Sequence, residues 1–383
     1  MIAVIADDFT GAAEIGGVGL RYGLNVLIET VVNDATDVDL LVIATDTRSL
    51  GEEAAYEEVA KITQQLIKLN PKLIFKKIDS VLRGHVAKEL EAQMRVAGKN
   101  KAVIVAANPS VGRTIVNGQY FVDSLPLIET FFADDPDFPV HSSRVTDIVK
   151  SSEFPVFSVG LNEELPDSGL IIADVTSHEE LCAWATRVNG DMIIAGGSGF
   201  FGALLGTIYQ LNASPEHADL SFGESSLFVF GSAFPKSASL LEKFDNTKVV
   251  RMNMPEGIYY DTGSYTDLLE EWSAQIINQL SNGYSVLVTI DHQPVNDAGL
   301  SSLRLRESIG QLVAKVEDCF NLTDLFIEGG ATTSVVLKYL NVTKLVPFHE
   351  ADFGVIQMKA NGYPDLSITT KPGSYLWPDN MEF

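Results

Sequence analysis

Residues 1–23 read MIAVIADDFTGAAEIGGVGLRYG, and this stretch decides the fold. The first six residues form a continuous apolar run, too short for a helix, and read as a strand buried on both faces. Two adjacent aspartates follow, Asp7 and Asp8, then Thr10 and Gly11. From there small residues run at helical spacing to Gly23, a helix stop. A buried strand that passes through a short polar turn into a helix is the first half of a βαβ unit.

The same alternation recurs along the chain. NVLIET (25–30), LLVIATDT (40–47), KLIFKKID (72–79), KAVIVAAN (101–108), GLIIADV (169–175) and DMIIAG (191–196) read as further strands. LGEEAAYEEVAKITQQLIKL (50–69), VAKELEAQMRVAG (86–98) and HEELCAWATRV (178–188) read as helices between them. A second series begins with SLFVFGSA (226–233) and a helix at PKSASLLEKF (235–244). It continues through helix YTDLLEEWSAQIINQLSNG (265–283), strand YSVLVTID (284–291), helix SLRLRESIGQLVAKVEDCF (302–320), strand DLFIEGG (324–330) and helix ATTSVVLKYL (331–340). The polar, turn-rich segment 206–225 separates the two series. The expected class is therefore α/β, with two domains, residues 1–222 and 223–383, each holding a mostly parallel sheet flanked by helices.

The 383 residues carry a net charge of -24, with 46% hydrophobic and 20% charged residues. Such a field repels nucleic acid and anionic membrane, so neither is an expected partner. No apolar run approaches the ~20 residues of a membrane span. Met1 opens directly into a strand with no basic leader, and a cytoplasmic setting is expected. Cys182 and Cys319 are far apart and in no motif, so neither a disulfide framework nor a metal site is expected.

Ligands of open α/β sheets bind beyond the C-terminal strand ends. In the first half those ends carry Asp7-Asp8-x-Thr10-Gly11, Asp46-x-Arg48, KKIDSVLRGH (76–85) and NPSVGRT (108–114). Paired carboxylates, Lys76 or Lys77, and Arg48, Arg83 and Arg113 suit a small hydroxy acid: guanidinium forks grip a carboxylate and aspartates accept from hydroxyls. One aspartate suffices as a helix cap; a second beside it needs another reason. The D-D-x-T spacing is not the D-x-D of a dehalogenase-type phosphatase. Gly197-x-Gly199-x-x-Gly202 formally matches a dinucleotide turn, which keeps an NAD(P)-dependent oxidoreductase as an alternative. In the second half, FGSAF (230–234), EGGATTS (328–334) and TKPGSY (370–375) are small-residue turns, the first two at strand-to-helix junctions that suit phosphate.

IADDFTGA, KKIDSVLRGHVAKEL, NPSVGRTIVNGQYFVDSLPLIET, GSAF, EGGATTSVVL and TKPGSYLWP occur in this order. With them the chain resembles the four-carbon acid sugar kinase family, over nearly its whole length. The resemblance implies a sugar-acid-binding N-terminal domain, an ATP-binding C-terminal domain, and phosphoryl transfer to the terminal hydroxyl of 3-oxo-tetronate, threonate or erythronate. It places Asp7, Asp8, Thr10, Gly11, Lys77, Asp79, Ser80, Arg83 and Arg113 on the substrate side. It places Ser232, Gly329, Gly330, Ala331, Thr332, Lys371 and Gly373 on the nucleotide side. Asp7, Asp8 and Asp79 are all candidates for the catalytic carboxylate. ATP and Mg²⁺ are the implied cofactors, a small sugar acid the partner, and a homodimer is left open. Here Ala331 follows the glycine pair where the family commonly has an acidic residue, and Glu328 precedes it instead. That change keeps a non-catalytic sugar-acid-binding protein as a second alternative.

Overall fold

The computed structural model describes residues 1–33, 37–135, 137–210, 220, 223, 225–231, 249–260, 265–290 and 302–378. The chain divides into two compact units, Met1–Ser214 and Pro215–Phe383.

The first unit is built on β1 (Ile2–Ala6), β2 (Val26–Glu29), β3 (Leu40–Ala44), β4 (Ile74–Lys77), β5 (Lys101–Val105), β9 (Val156–Val159), β10 (Gly169–Ala173) and β11 (Ile193–Gly196). These eight run in the order β9-β10-β5-β11-β4-β1-β3-β2, every pairing parallel. Helices α1 (Phe9–Arg21), α2 (Glu52–Lys68), α3 (Val86–Ala97), α4 (Val145–Ile148), α5 (His178–Arg187) and α6 (Ser198–Ile208) accompany the strands. Burial on both faces explains the unbroken apolar runs: every residue of β1 and β3 is buried. Val59, Ile62 and Leu66, one face of α2, share a core cluster with Ala3, Ile5, Leu41 and Ile43. Between β5 and β9 the chain adds a small antiparallel sheet of β6 (Arg113–Val116), β7 (Gln119–Val122) and β8 (Leu125–Pro126).

Register fixes where the site lies. Ala6 pairs with Ala44 of β3 and with Lys77 of β4, and Gly196 of β11 pairs with Lys77 and Val105. Five neighbouring strands thus end in one row, and the polar residues after them leave from one edge of the sheet.

The second unit carries β12 (Leu227–Phe230), β13 (Val249–Asn253), β14 (Ser285–Thr289), β15 (Asp324–Glu328), β16 (Lys344–Asp352), β17 (Val355–Ala360) and β18 (Tyr363–Lys371). The order β13-β14-β12-β15-β18 is parallel; β17 and β16 then continue from β18 antiparallel. Helices Tyr265–Ser281, Ser302–Cys319 and Gly330–Tyr339 lie in this unit. The meander β16–β18 has no counterpart in the strand pattern read above. β16 alternates exposed and buried positions and holds Pro347, and β17 and β18, though largely buried, interleave Gln357, Lys359, Ser367, Thr369 and Thr370 with apolar residues, so none shows the continuous apolar run of a central strand. The helix expected at 235–244 lies outside the described residues. Among the described residues no helix is long and apolar enough to cross a membrane.

Candidate active site

At the end of β1 the two aspartates divide their work. Asp8 is the N-cap of α1: its Oδ1 accepts from Gly11 N at 2.8 Å and its Oδ2 accepts from Thr10 Oγ1 at 2.8 Å. A Cβ on Gly11 would stand 2.6 Å from Asp8 Oδ1 and 3.0 Å from Lys77 Nζ, so the glycine is needed for this close approach. Asp7 instead turns to Arg48, whose Nε and NH2 both donate to its Oδ2, at 2.9 and 2.7 Å. Asp7 Oδ1 is buried without a hydrogen-bond partner.

Arg48 is the hub. Its NH1 also lies 3.3 Å from Asp8 Oδ2 and 3.5 Å from Asp79 Oδ1, so one guanidinium serves three carboxylates. It comes from the turn after β3, where Asp46 takes a left-handed φ of 52°. Asp79 organises the loop after β4. Its Oδ2 accepts from Val81 N, Arg83 N and Arg83 Nε, and its Oδ1 from Arg83 NH2 at 2.8 Å. Arg83 NH1 reaches Asp135 Oδ2 at 2.7 Å. Arg113, at the start of β6, donates to the Ser80 hydroxyl, and Tyr120 OH donates to Ser80 O. The guanidinium carbons of Arg83 and Arg113 lie 5.1 and 5.8 Å from the centre of the Phe132 ring.

The two lysines of β4 face opposite ways, as strand alternation requires. Lys77 pairs with Glu14 of α1 at 3.3 Å, and Lys76 with Glu89 of α3 at 2.6 Å, fully buried. Asp7, Asp8, Thr10, Gly11, Lys77, Asp79, Ser80, Arg83 and Arg113 therefore gather on one sheet edge. Sequence reasoning missed Asp135, Tyr120 and Phe132, which lie in no strand-end motif, and it noted Arg48 without giving it the central place.

Charge states follow from this wiring. Burial pushes the Asp7 carboxyl up, and Arg48 only partly offsets it. Burial acts on Asp8 too, but Arg48, Lys77, Thr10 and the Gly11 amide together hold it below the usual range. Burial also raises Asp79, but Arg83 and Arg48 outweigh it and drive the carboxyl well below that range. The sign for stability is then fixed. A carboxyl depressed in the folded state stabilises the fold above its unfolded value, and loses that contribution as pH falls through the folded value. Asp7, raised, does the opposite. The first unit is expected to lose stability as pH drops below about 4. Asp79→Asn should be less stable at neutral pH and show a shallower loss on acidification. Thermal unfolding between about pH 2 and 6 checks this; equal slopes for both proteins would refute it.

In the Gly197–Gly202 turn, packing accounts for two of the three glycines. A Cβ on Gly197 would lie 3.2 Å from Ala106 O and one on Gly199 2.8 Å from Asn108 Oδ1, whereas one on Gly202 would make ordinary contact with Val18 at 3.7 Å. Gly197 and Gly199 let α6 sit tightly against the exit loop of β5.

In the second unit, Gly329 (φ 97°) turns the chain from β15 into the helix Gly330–Tyr339. The N–H groups of Gly330, Ala331 and Thr332 are the first of that helix, ahead of the Thr333 N to Gly329 O bond. Thr332 packs on Gly231, where a Cβ would lie 2.4 Å from its hydroxyl. Glu328 and Lys371 are register partners on β15 and β18. Both are buried, 3.1 Å apart, and Trp377 Nε1 donates to the same Glu328 oxygen at 2.9 Å. Lys371 Nζ also donates to Pro372 O and Tyr375 O, closing the turn that holds Gly373. The structure thus places the Lys371 ammonium inside the unit. Ser232 lies outside the described residues. Among the described residues no group of three or more His, Cys, Asp or Glu side chains is arranged for a metal ion.

Residues 2–204 match the family described as a sugar-binding N-terminal domain, and residues 227–375 that described as a nucleotide-binding C-terminal domain. A D-threonate kinase of Salmonella typhimurium is 38% identical over 164 residues, 42% of this chain and 39% of that protein. A D-erythronate kinase of Heliobacterium modesticaldum is 38% identical over 154 residues, 39% of this chain and 35% of that protein. A 3-oxo-tetronate kinase of Haemophilus influenzae is 24% identical across 100% of this chain and 98% of its own length. Two solved structures share the fold: a Salmonella typhimurium protein (TM-score 0.76, 19% identity, 99% of this chain and 96% of that one) and a Haemophilus influenzae protein (0.67, 21%, 99% and 98%).

Proposed function

Because the chain belongs to the four-carbon acid sugar kinase family, which joins these two domains, we propose that it is an ATP-dependent phosphotransferase. It moves the γ-phosphoryl group to the terminal hydroxyl of a four-carbon sugar acid of the 3-oxo-tetronate, threonate or erythronate type. Residues 1–222 bind the acid and residues 223–383 the nucleotide. The observation that carries this reading is the Arg48 hub with Asp7, Asp8 and Asp79 around it, beside Arg83 and Arg113. Such a set offers cations to a carboxylate and carboxylates to several hydroxyls, as a polyhydroxylated acid requires.

Phosphoryl transfer relies mainly on positioning and charge neutralisation, so the attacking hydroxyl needs orientation more than a strong base. Asp8 suits that role. Its side chain is 10% exposed against 3% for Asp7, and its capping bonds hold it in one orientation. Asp7 anchors Arg48 from beneath. Arg83 and Arg113, both over Phe132, hold the acid's carboxylate. The helix start at Gly330, Ala331 and Thr332 fits the phosphates of ATP, which supplies the transferable group when bound. Lys371 acts there by pinning the Gly373 turn to Glu328. Glu328 is committed to Lys371 and Trp377, and so is no substitute for an acidic residue after the glycine pair. The three aspartates around Arg48 do not fit a divalent cation, since a guanidinium already occupies their centre.

The test is an ATP–Mg²⁺ consumption assay across D-threonate, D-erythronate and 3-oxo-tetronate. Turnover of at least one is expected; turnover of none sinks the proposal. Reduction of a nicotinamide by any of these acids would favour the oxidoreductase alternative instead.

A further inference from the structure

We propose that Asp135 is a built-in competitor for the substrate's carboxylate, held on NH1 of Arg83 until a sugar acid displaces it. This rests on the reading that Arg83 receives that carboxylate. The grip on each carboxylate separates Asp135 from its neighbours. Asp8 has both oxygens committed, to Gly11 N and to Thr10 and Arg48. Asp79 is held through both oxygens by Arg83 and by two backbone amides. Asp7 Oδ2 takes two bonds from Arg48. Asp135 Oδ1 accepts from the backbone N–H groups of Asp137 and Phe138, at 3.1 and 2.8 Å, which fixes its own turn. Its Oδ2 meets only Arg83 NH1, at 2.7 Å, among the contacts described. Releasing that oxygen therefore leaves the turn intact.

Arg83 is built for such an exchange. Nε and NH2 are locked to Asp79, so the guanidinium stays in place when NH1 changes partner. Phe132 supports its face. Its side chain is 15% exposed and that of Asp135 8%, close to the 15% of Arg48 and 10% of Asp8, so the pair is about as accessible as the rest of the cluster. An incoming carboxylate replaces one charge-assisted bond by another of the same kind. A neutral polyol cannot do so, because removing Asp135 would leave NH1 with a weaker partner. Asp135 thus raises the threshold for acids, while a polyol, which leaves the pair in place, binds without meeting it.

Asp135→Asn keeps the Oδ1 acceptor of the turn while removing the charge. Binding is followed by calorimetry with D-threonate, D-erythronate, erythritol, and malonate as a probe with carboxylates and no hydroxyls. The Kd for malonate and for the sugar acids is expected to fall about fivefold in the variant, the size of one part-exposed ion pair. Erythritol should gain nothing, and the gain should vanish in an Arg83→Gln background. Unchanged or weaker anion binding, or no anion binding by the variant, overturns the proposal. Tighter malonate binding with no sugar acid bound or phosphorylated would support Asp135 as the competitor while removing the kinase reading.

Discussion

Arg48→Met is expected to cost the first unit about 3–5 kcal/mol and to lower kcat/KM by on the order of a thousandfold. Methionine keeps much of the volume, so packing is not the main loss. What disappears is the only cation in contact with both Asp7 and Asp8 among the described ion pairs. Asp7 is already pushed up by burial, and without Arg48 its charged form has little left to hold it. Asp8 and Asp79 lose one of the influences that keep them ionised. The cluster must then take up protons or open. Either change removes the fixed carboxylate proposed to orient the hydroxyl, and the positive charge beside it. Lysine should rescue poorly, because a point charge cannot span three carboxylates as a fork does. Hydrogen exchange at the β1 and β3 amides reads the stability, and the ATP-consumption assay reads activity. Near-parental exchange together with near-parental turnover would show that Arg48 is peripheral.

The parallel framework was legible because it is written locally. A continuous apolar run such as IAVIA, then an Asx cap and a small-residue helix, specifies a buried strand and its crossover without reference to distant residues. The antiparallel β16–β18 was not, because polar residues interleaved with apolar ones, with Pro347 and Pro364 among them, resemble loop sequence until a partner is known. The site divided in the same way. Asp8 as a cap is a local fact, three residues from Gly11. The opposed directions of Lys76 and Lys77 follow from strand alternation, although their partners Glu14 and Glu89 sit on helices whose packing no motif announces. Arg48 was visible by its place after a strand. Its role was not, because it depends on the register that sets Ala44 beside Ala6. Asp135 lies 52 residues from Arg83 in a turn without a motif, and only the folded chain connects them.

The second large effect is expected at the Glu328–Lys371 pair. Lys371→Met removes the ammonium 3.1 Å from the fully buried Glu328 carboxylate, and should destabilise the second unit by about 3–5 kcal/mol. Glu328→Gln keeps an acceptor for Trp377 Nε1 but takes the carboxylate's charge away from the Lys371 ammonium, which still donates to the Pro372 and Tyr375 carbonyls. Its cost should be of similar order. The double variant removes both charges and retains the indole's acceptor, so it should fall short of the sum by about 2 kcal/mol, the coupling of two contacting charges. Unfolding in a Trp184→Phe background isolates this unit, because the two remaining tryptophans, Trp272 and Trp377, both lie within it. Strict additivity would mean that the two side chains act separately, and that the ion pair is not what joins β15 to the Gly373 turn. A coupling of the expected size would instead account for a lysine in this turn without assigning it a phosphate. Its charge would stabilise the frame in which the Gly329–Thr332 turn presents its amides.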